Sequence, residues 1–375
     1  MRAETLCRCR GLLMVLLSLL LLAACGGGGD SGGSSGGGGS SSGGSSGGSG
    51  GSSGSGSGSS GSSSGSGSSS GSSGSQPLPT DGYVSGPTDR DSATVTVDGR
   101  QMVLWRGTEA GVETLSHQGV LRSYLVVRPQ GLNADVPVMM FLHGNNGTPQ
   151  GMSDQVEAAA LVASQRLVAV LPEATDLRWS EDPSDTRGID DIGLISAVVQ
   201  RLRGTAHIDA QHFYLSGFSN GGAMVERYAC SNPGAFAAYG VVSAVLRPSI
   251  AAACASSPAR PIAYMLGTLD PVVAFDGLSG FSSAATSVAH WVDAQGCTGE
   301  STEALPNTAL DGTTTDLTRY TGCAQGNELR FYKINGGGHA WPGGTFQGLA
   351  SSIGLTARDY SATEAFWDYF GAYRN

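Results

Sequence analysis

Seven short apolar runs constrain what this chain can fold into more than any other feature. They are SYLVVRP (123–129), VPVMMFLHG (136–144), LVAVLPEA (167–174), HFYLSGF (212–218), AAYGVVSAV (237–245), PIAYMLG (261–267) and ELRFYKI (328–334). Several are apolar throughout instead of alternating, the pattern of strands covered on both faces. Helical patterns lie among them at 151–166, 190–203, 220–229, 282–295 and 362–373. Strands interleaved with helices specify a mostly parallel sheet flanked by helices, so residues 81–375 are expected to form one doubly wound α/β domain.

The rest of the 375 residues has a different character. From Gly26 to Ser75 every residue except Asp30 is Gly or Ser, a composition with nothing to bury and no means of offsetting the entropy of an ordered backbone. Residues 25–80 are therefore read as a disordered tether with a reach on the order of 40 Å. Ahead of it, Arg2, Arg8 and Arg10 precede GLLMVLLSLLLLAA, a charged segment and a leucine-rich run too short to span a bilayer. Residues 1–24 read as a signal peptide, and Leu22-Ala23-Ala24-Cys25 resembles a bacterial lipobox, in which the cysteine becomes the lipidated N-terminus. The expected location is the cell envelope, at the outer membrane or its extracellular face, with the lipid as the membrane contact.

Removing residues 1–24 takes away three arginines and Glu4, leaving 18 basic against 30 acidic side chains, a net charge of −12. That balance argues against nucleic acid as a partner, and no protein partner is evident. With Cys25 assigned to lipid, the domain keeps Cys230, Cys254, Cys297 and Cys323. In an oxidising compartment four cysteines allow three pairings. The sequential one, Cys230 with Cys254 and Cys297 with Cys323, is favoured because each bridge closes a loop of about 25 residues. A zinc site is the alternative, but no C-x-x-C spacing occurs, and no metal is expected.

G-x-S-x-G occurs around Ser219 and also within the Gly/Ser tract, as around Ser46. Only Ser219 sits where a strand, HFYLSGF, meets a helix, NGGAMVERYA. The tight turn that exposes such a hydroxyl brings strand and helix backbones together, and Gly217 and Gly221 provide the room. A serine on this elbow takes its acid and histidine from further along the chain. Of the two downstream histidines, His290 falls inside a helical pattern beside Trp291, whereas His339 follows a strand in NGGGHAWPGG. Asp270 ends an apolar strand and is braced by Pro271, while Asp276 lies deeper in the loop and Asp293 in a helix. The amide of Asn220 and that of Asn145, in LHGNNGT, are the candidate oxyanion donors. His143 reads as a loop-shaping residue, and Asp190 and Asp191 as helix-capping charges. Trp179 and Trp341 are candidates for lining the substrate pocket, with plain packing as the alternative.

The set LHGNNGT, IDDIGLI, SGFSNGGAM, GTLDPVV and GGGHAWPGG, in this order over about residues 100–345, resembles the polyhydroxybutyrate depolymerase and feruloyl esterase group of α/β-hydrolase serine esterases, its lipoprotein members included. The resemblance implies an α/β-hydrolase fold with helices on both sides of the sheet. It also implies a cofactor-free Ser-His-Asp mechanism carried by Ser219, His339 and Asp270, acting on hydroxybutyrate-type, feruloyl or acetyl esters. No extended apolar insertion offers itself as a lipase-like lid. The nearest, PVVAFDGLSGF at 271–281, is short and interrupted by Asp276 and two glycines, so compact esters are expected over long-chain lipids.

Overall fold

A computed structural model describes residues 78–79, 81–254, 260–345 and 350–375. The signal segment 1–24, Cys25 and nearly all of the Gly/Ser tether lie outside the described residues. The strands are β1 (Val84–Ser85), β2 (Ser92–Val97), β3 (Arg100–Trp105), β4 (Thr108–His117), β5 (Val120–Pro129), β6 (Val136–Leu142), β7 (Val168–Pro172), β8 (Ile208–Phe218), β9 (Ala238–Val242), β10 (Ile262–Gly267), β11 (Gly299–Ala304), β12 (Thr314–Thr321) and β13 (Leu329–Asn335). The helices are α1 (Pro149–Gln155), α2 (Ala158–Gln165), α3 (Asp191–Arg203), α4 (Asn220–Ser231), α5 (Pro248–Cys254), α6 (Ala284–Gln295), α7 (Ala350–Ile353) and α8 (Ala362–Phe370).

All seven apolar runs form strands of one sheet, in the order β1-β4-β5-β7-β6-β8-β9-β10-β13-β12-β11. The central six, β7 to β13 in that order, are parallel, with Met140 of β6 level with Leu215 of β8 on one side and Val170 of β7 on the other. Antiparallel pairings extend the sheet on both sides through β5, β4 and β1 and through β12 and β11. The sheet is thus parallel only at its centre, where helices cover both faces. β2 and β3 form a separate hairpin.

The pleat of β6 shows how the layers are held. Val138, Met140 and Leu142 join Leu194 and Val198 of α3, Met224 and Tyr228 of α4 and Trp291 of α6 in one core. Met139 and Phe141 join Met152 of α1, Leu161 of α2 and Phe366 of α8 in the other. Each of these side chains is almost wholly buried, at roughly 1.5–3 kcal/mol apiece for the larger ones. The single helix expected over 151–166 is broken at Glu157, whose positive φ of 53° separates α1 from α2. Asp190 caps α3 by accepting from the Gly193 amide at 2.8 Å, as its place before the helix suggests. Asp191 does more than cap: fully buried, it pairs with Arg122 at 2.9 Å and accepts from the Ser180 amide at 2.8 Å.

The disulfides are Cys230–Cys254, joining α4 to α5, and Cys297–Cys323, bracing the β11–β12 hairpin. Among the described residues no helix is long and apolar enough to cross a membrane, and no cluster of three or more His, Cys, Asp or Glu side chains could hold a metal ion.

Candidate active site

Ser219 stands at the C-terminal end of β8, with α4 beginning at the next residue. Its backbone has φ 54° and ψ −121°, in the left-handed half of the map for a residue that is not glycine. Such strain costs on the order of 1–3 kcal/mol and persists only where neighbours enforce it. Here the Ser219 amide donates to Val242 O at 2.9 Å at the end of β9, and Ser219 O accepts from Ala223 N at 3.0 Å. The flanking glycines are required by contact: a Cβ on Gly217 would lie 2.3 Å from Gly221 O, and one on Gly221 would lie 2.3 Å from Leu142 O.

His339 reaches this serine from the loop after β13. Its Nε2 is 2.9 Å from Ser219 Oγ, and its Nδ1 is 2.8 Å from Asp270 Oδ2. The other carboxylate oxygen, Oδ1, accepts from the amides of Val272 and Val273, each at 2.8 Å, so both oxygens of Asp270 are engaged. Because a carboxylate faces Nδ1, the ring proton resides there and Nε2 is left as the acceptor for the serine hydroxyl. The two loops that bring acid and imidazole together are stitched by backbone bonds, Leu269 N to Gly337 O at 2.9 Å and Thr268 N to Ile334 O at 2.9 Å. Gly338 N also donates to Leu355 O at 2.8 Å. The ring of Phe218 lies 5.0 Å from that of His339, centre to centre. His290, by contrast, sits on α6 edge-on to Trp291, with no hydrogen bond to Ser219.

The LHGNNGT loop packs against the elbow. A Cβ on Gly144 would come 3.4 Å from Cβ of Ser219. His143 is buried, and its ring joins Gly144 O through Nδ1 at 2.8 Å and the Ala174 amide through Nε2 at 3.2 Å. Nε2 must accept from that amide, so the imidazole is neutral with its proton on Nδ1. Burial pushes its pKa down in the same direction. The next amide, that of Asn145, donates to no acceptor among the described residues, and that of Asn220 opens the first turn of α4. Both are free to meet an oxygen lodged beside Ser219.

Trp179 and Trp341 are packed, contrary to a role in lining a pocket. Trp179 is fully buried, and its indole N–H donates to His143 O at 2.8 Å. Trp341 is also buried, between Phe141 and Phe366, with its N–H on Thr363 Oγ1 at 3.0 Å. Their apolar bulk belongs to the core and their single donors are spent. Trp179 still bears on the site, because its backbone N–H donates to Asn220 Oδ1 at 2.8 Å and fixes the residue after the nucleophile. Two contributors had no sequence signal of their own. The Asn220 side chain is one, and Ser243 is the other, at a φ of 51° and donating to Ala340 O at 3.3 Å just past His339.

Fold and geometry together define an α/β hydrolase with a serine, histidine and aspartate in register. No family model matches the chain. Among curated proteins it is similar to "Putative esterase NocK" of Nocardia uniformis subsp. tsuyamanensis, 31% identical over 253 residues that make up 62% of this chain and 73% of the relative. Feruloyl esterase B of Piromyces equi is 29% identical over 236 residues, 58% of this chain but only 42% of that enzyme. Acetyl xylan esterase from Aspergillus awamori shares the fold, with a TM-score of 0.53 at 17% identity over 69% of this chain and 98% of that one. The chain belongs to the esterase family of α/β hydrolases and is a carboxylic ester hydrolase.

Proposed function

We propose that the chain is an extracytoplasmic serine esterase in which Ser219, His339 and Asp270 form the catalytic triad. His339 Nε2 takes the Ser219 proton as Oγ attacks the ester carbonyl, and Asp270 holds the ring and balances the imidazolium that forms. The carbonyl oxygen, gaining charge, meets the amides of Asn145 and Asn220. His339 then gives its proton to the alcohol oxygen, which leaves, and water repeats the sequence on the acyl-enzyme. The observation that carries this reading is the continuous relay Ser219 Oγ to His339 Nε2 at 2.9 Å and His339 Nδ1 to Asp270 Oδ2 at 2.8 Å.

Feruloyl or acetyl esters are the substrate class this reading favours, since the relatives include a feruloyl esterase and a bifunctional acetylxylan esterase/xylanase. Location in the envelope rests on the signal-like segment, on Cys25 and on the two disulfides, which suit an oxidising compartment. The test is a phosphonate ester probe followed by peptide mass spectrometry, with kinetics on methyl ferulate and 4-nitrophenyl acetate. Label is expected on Ser219, and Ser219→Ala or His339→Ala should lower kcat by at least about 10³-fold in a folded protein. Label on another residue, or activity retained in either variant, would refute the assignment.

A further inference from the structure

The segment that follows β7 is bonded to both carriers of the candidate oxyanion amides. On one side it meets the LHGNNGT loop: Ala174 N donates to His143 Nε2 at 3.2 Å, Asn146 N to Leu177 O at 2.9 Å and Trp179 Nε1 to His143 O at 2.8 Å. The rings of Trp179 and His143 also lie 5.1 Å apart, centre to centre. Asn145 is thus bracketed by His143 and Asn146, both tied to this segment. On the other side Trp179 meets the nucleophile turn. Its backbone N–H donates to Asn220 Oδ1 at 2.8 Å, and its carbonyl accepts from Asn220 Nδ2 at 3.4 Å. The indole of Trp179 therefore bonds to one half of the hole and its backbone to the other.

The same segment is strained at one end and anchored at the other. Asp176 and Leu177, neither of them glycine, have φ of 53° and 56° in succession, a conformation that L side chains rarely adopt and that persists only where the surroundings enforce it. The carbonyl that accepts from Asn146 belongs to the second of the two. Beyond Trp179, Ser180 N donates to Asp191 Oδ2 at 2.8 Å and Ser180 Oγ to Ile189 O at 3.0 Å, while Arg227 Nη1 donates to Ser180 O. Arg247 Nη2 holds Glu181 Oε1 at 2.8 Å. Asp191, the second acid of the IDDIGLI motif, is fully buried and paired with Arg122, so it gives the peptide next to Trp179 a fixed point in the core.

Oxyanion donors act by standing, before the reaction, where the negative charge will develop, and misplacement forfeits most of their effect. Asn145 and Asn220 belong to separate elements, the loop after β6 and the start of α4. Their spacing is therefore set by what bridges them. We infer that Trp179 is a positioning residue that fixes the Asn145 and Asn220 amides relative to each other, with Asp191 anchoring it through Ser180. Trp179 needs no contact with substrate for this, in keeping with its complete burial. The inference rests on the serine esterase reading above.

The test cuts each arm separately. Trp179→Phe removes the indole donor and keeps the backbone bonds to Asn220, whereas Asn220→Ala removes those bonds and keeps the oxyanion amide. With 4-nitrophenyl acetate, each variant should lose roughly tenfold in kcat per site titrated by the phosphonate probe, less than the loss of a whole donor. KM should stay within about twofold, since acylation and deacylation use the same hole and slow together. Phenylboronic acid, whose tetrahedral adduct on Ser219 places an oxygen in the hole, should bind more weakly by the same factor. Trp291→Phe is the control: it also deletes a buried indole donor, one that serves the Tyr264 hydroxyl, and should lower stability while leaving kcat per titrated site unchanged. Unchanged kcat per titrated site in Asn220→Ala or in folded Trp179→Phe, a change confined to KM, unaltered boronate affinity, or an equal fall in Trp291→Phe would overturn the inference. If Trp179→Phe does not fold, Asn220→Ala decides alone, because its side chain is only half-buried at the start of α4. An unaltered chain that neither takes the probe on Ser219 nor turns over ester would overturn the esterase reading and this inference with it.

Discussion

Replacing Glu226 by glutamine should flatten the dependence of stability on pH above the acid range. Glu226 lies on α4, two turns beyond Ser219, fully buried. Its Oε1 accepts from the Tyr264 hydroxyl, which in turn accepts from Trp291 Nε1 at 2.6 Å, while Oε2 has no partner among the described residues. Burial, offset in part by the Tyr264 bond and by Arg247, pushes its pKa from 4.5 up to about 8. The folded chain therefore holds a proton there at neutral pH that the unfolded chain has released. Between pH 4.5 and about 8 the native state binds more protons, so stability is highest at the acid end and falls as pH rises. The slope is about 1.4 kcal/mol per pH unit, and over the whole window the loss approaches about 5 kcal/mol. Glutamine keeps a carbonyl oxygen for Tyr264 but cannot ionise. Urea unfolding of both proteins at half-unit steps across the window gives the difference between them. That difference should shift steadily in the variant's favour with pH, by several kcal/mol in all. A fixed offset would report only the cost of fitting the amide. Parallel curves across the window would refute the reasoning, because they would mean that Glu226 is already ionised in the folded protein.

Gly221→Ala would set a Cβ 2.3 Å from Leu142 O and 2.6 Å from His143 O, forcing the nucleophile turn away from the Asn145 loop. A fall in kcat of at least roughly 10²-fold is expected, comparable to loss of an oxyanion donor, and steady-state kinetics on 4-nitrophenyl acetate checks it. Asp191→Ala leaves Arg122 buried without its ion-pair partner, with only Glu173 O still accepting from it, and frees the Ser180 amide, so denaturant unfolding should show a loss of about 3–5 kcal/mol. Cys25→Ser should move the protein from the membrane fraction to the soluble one, as read by fractionation and immunoblotting. Peptide mapping without reductant should return the Cys230–Cys254 and Cys297–Cys323 peptides and no other pair.

The sequence disclosed the centre of this fold better than its margins. β6, β7 and β10 are covered on both faces and so are written as nearly unbroken apolar runs. β11, GESTEA, is almost entirely exposed, and the long β4 mixes buried with exposed positions, leaving nothing in composition to tell either from a loop. The positions of Ser219, His339 and Asp270 were legible because each follows a strand at the same end of the sheet. The misreading of Trp179 and Trp341 has a physical basis. An indole beside an active site is equally suited to binding and to packing, and only its neighbours decide which. Glu157 illustrates a different gap, since a left-handed residue that is neither Gly nor Asn interrupts a helix with no local warning. The lock on Asn220 was invisible for a related reason: its partner, Trp179, is 41 residues away in the chain.

The two cross-links both fall in the half of the chain that follows Ser219. One anchors the helix behind the nucleophile, and the other closes the β11–β12 hairpin. Each spans about 25 residues and is worth very roughly 3 kcal/mol to the folded state, and neither has a cysteine in β1 to β7. For production this makes the route of expression a variable in its own right. Material made in a reducing cytosol would keep the half of the sheet that needs no thiol chemistry, while the half that supplies Asp270 and His339 would lose its staples. Such a preparation could look folded by circular dichroism and still titrate with few active sites, so yield is better judged by active-site counting than by mass of soluble protein.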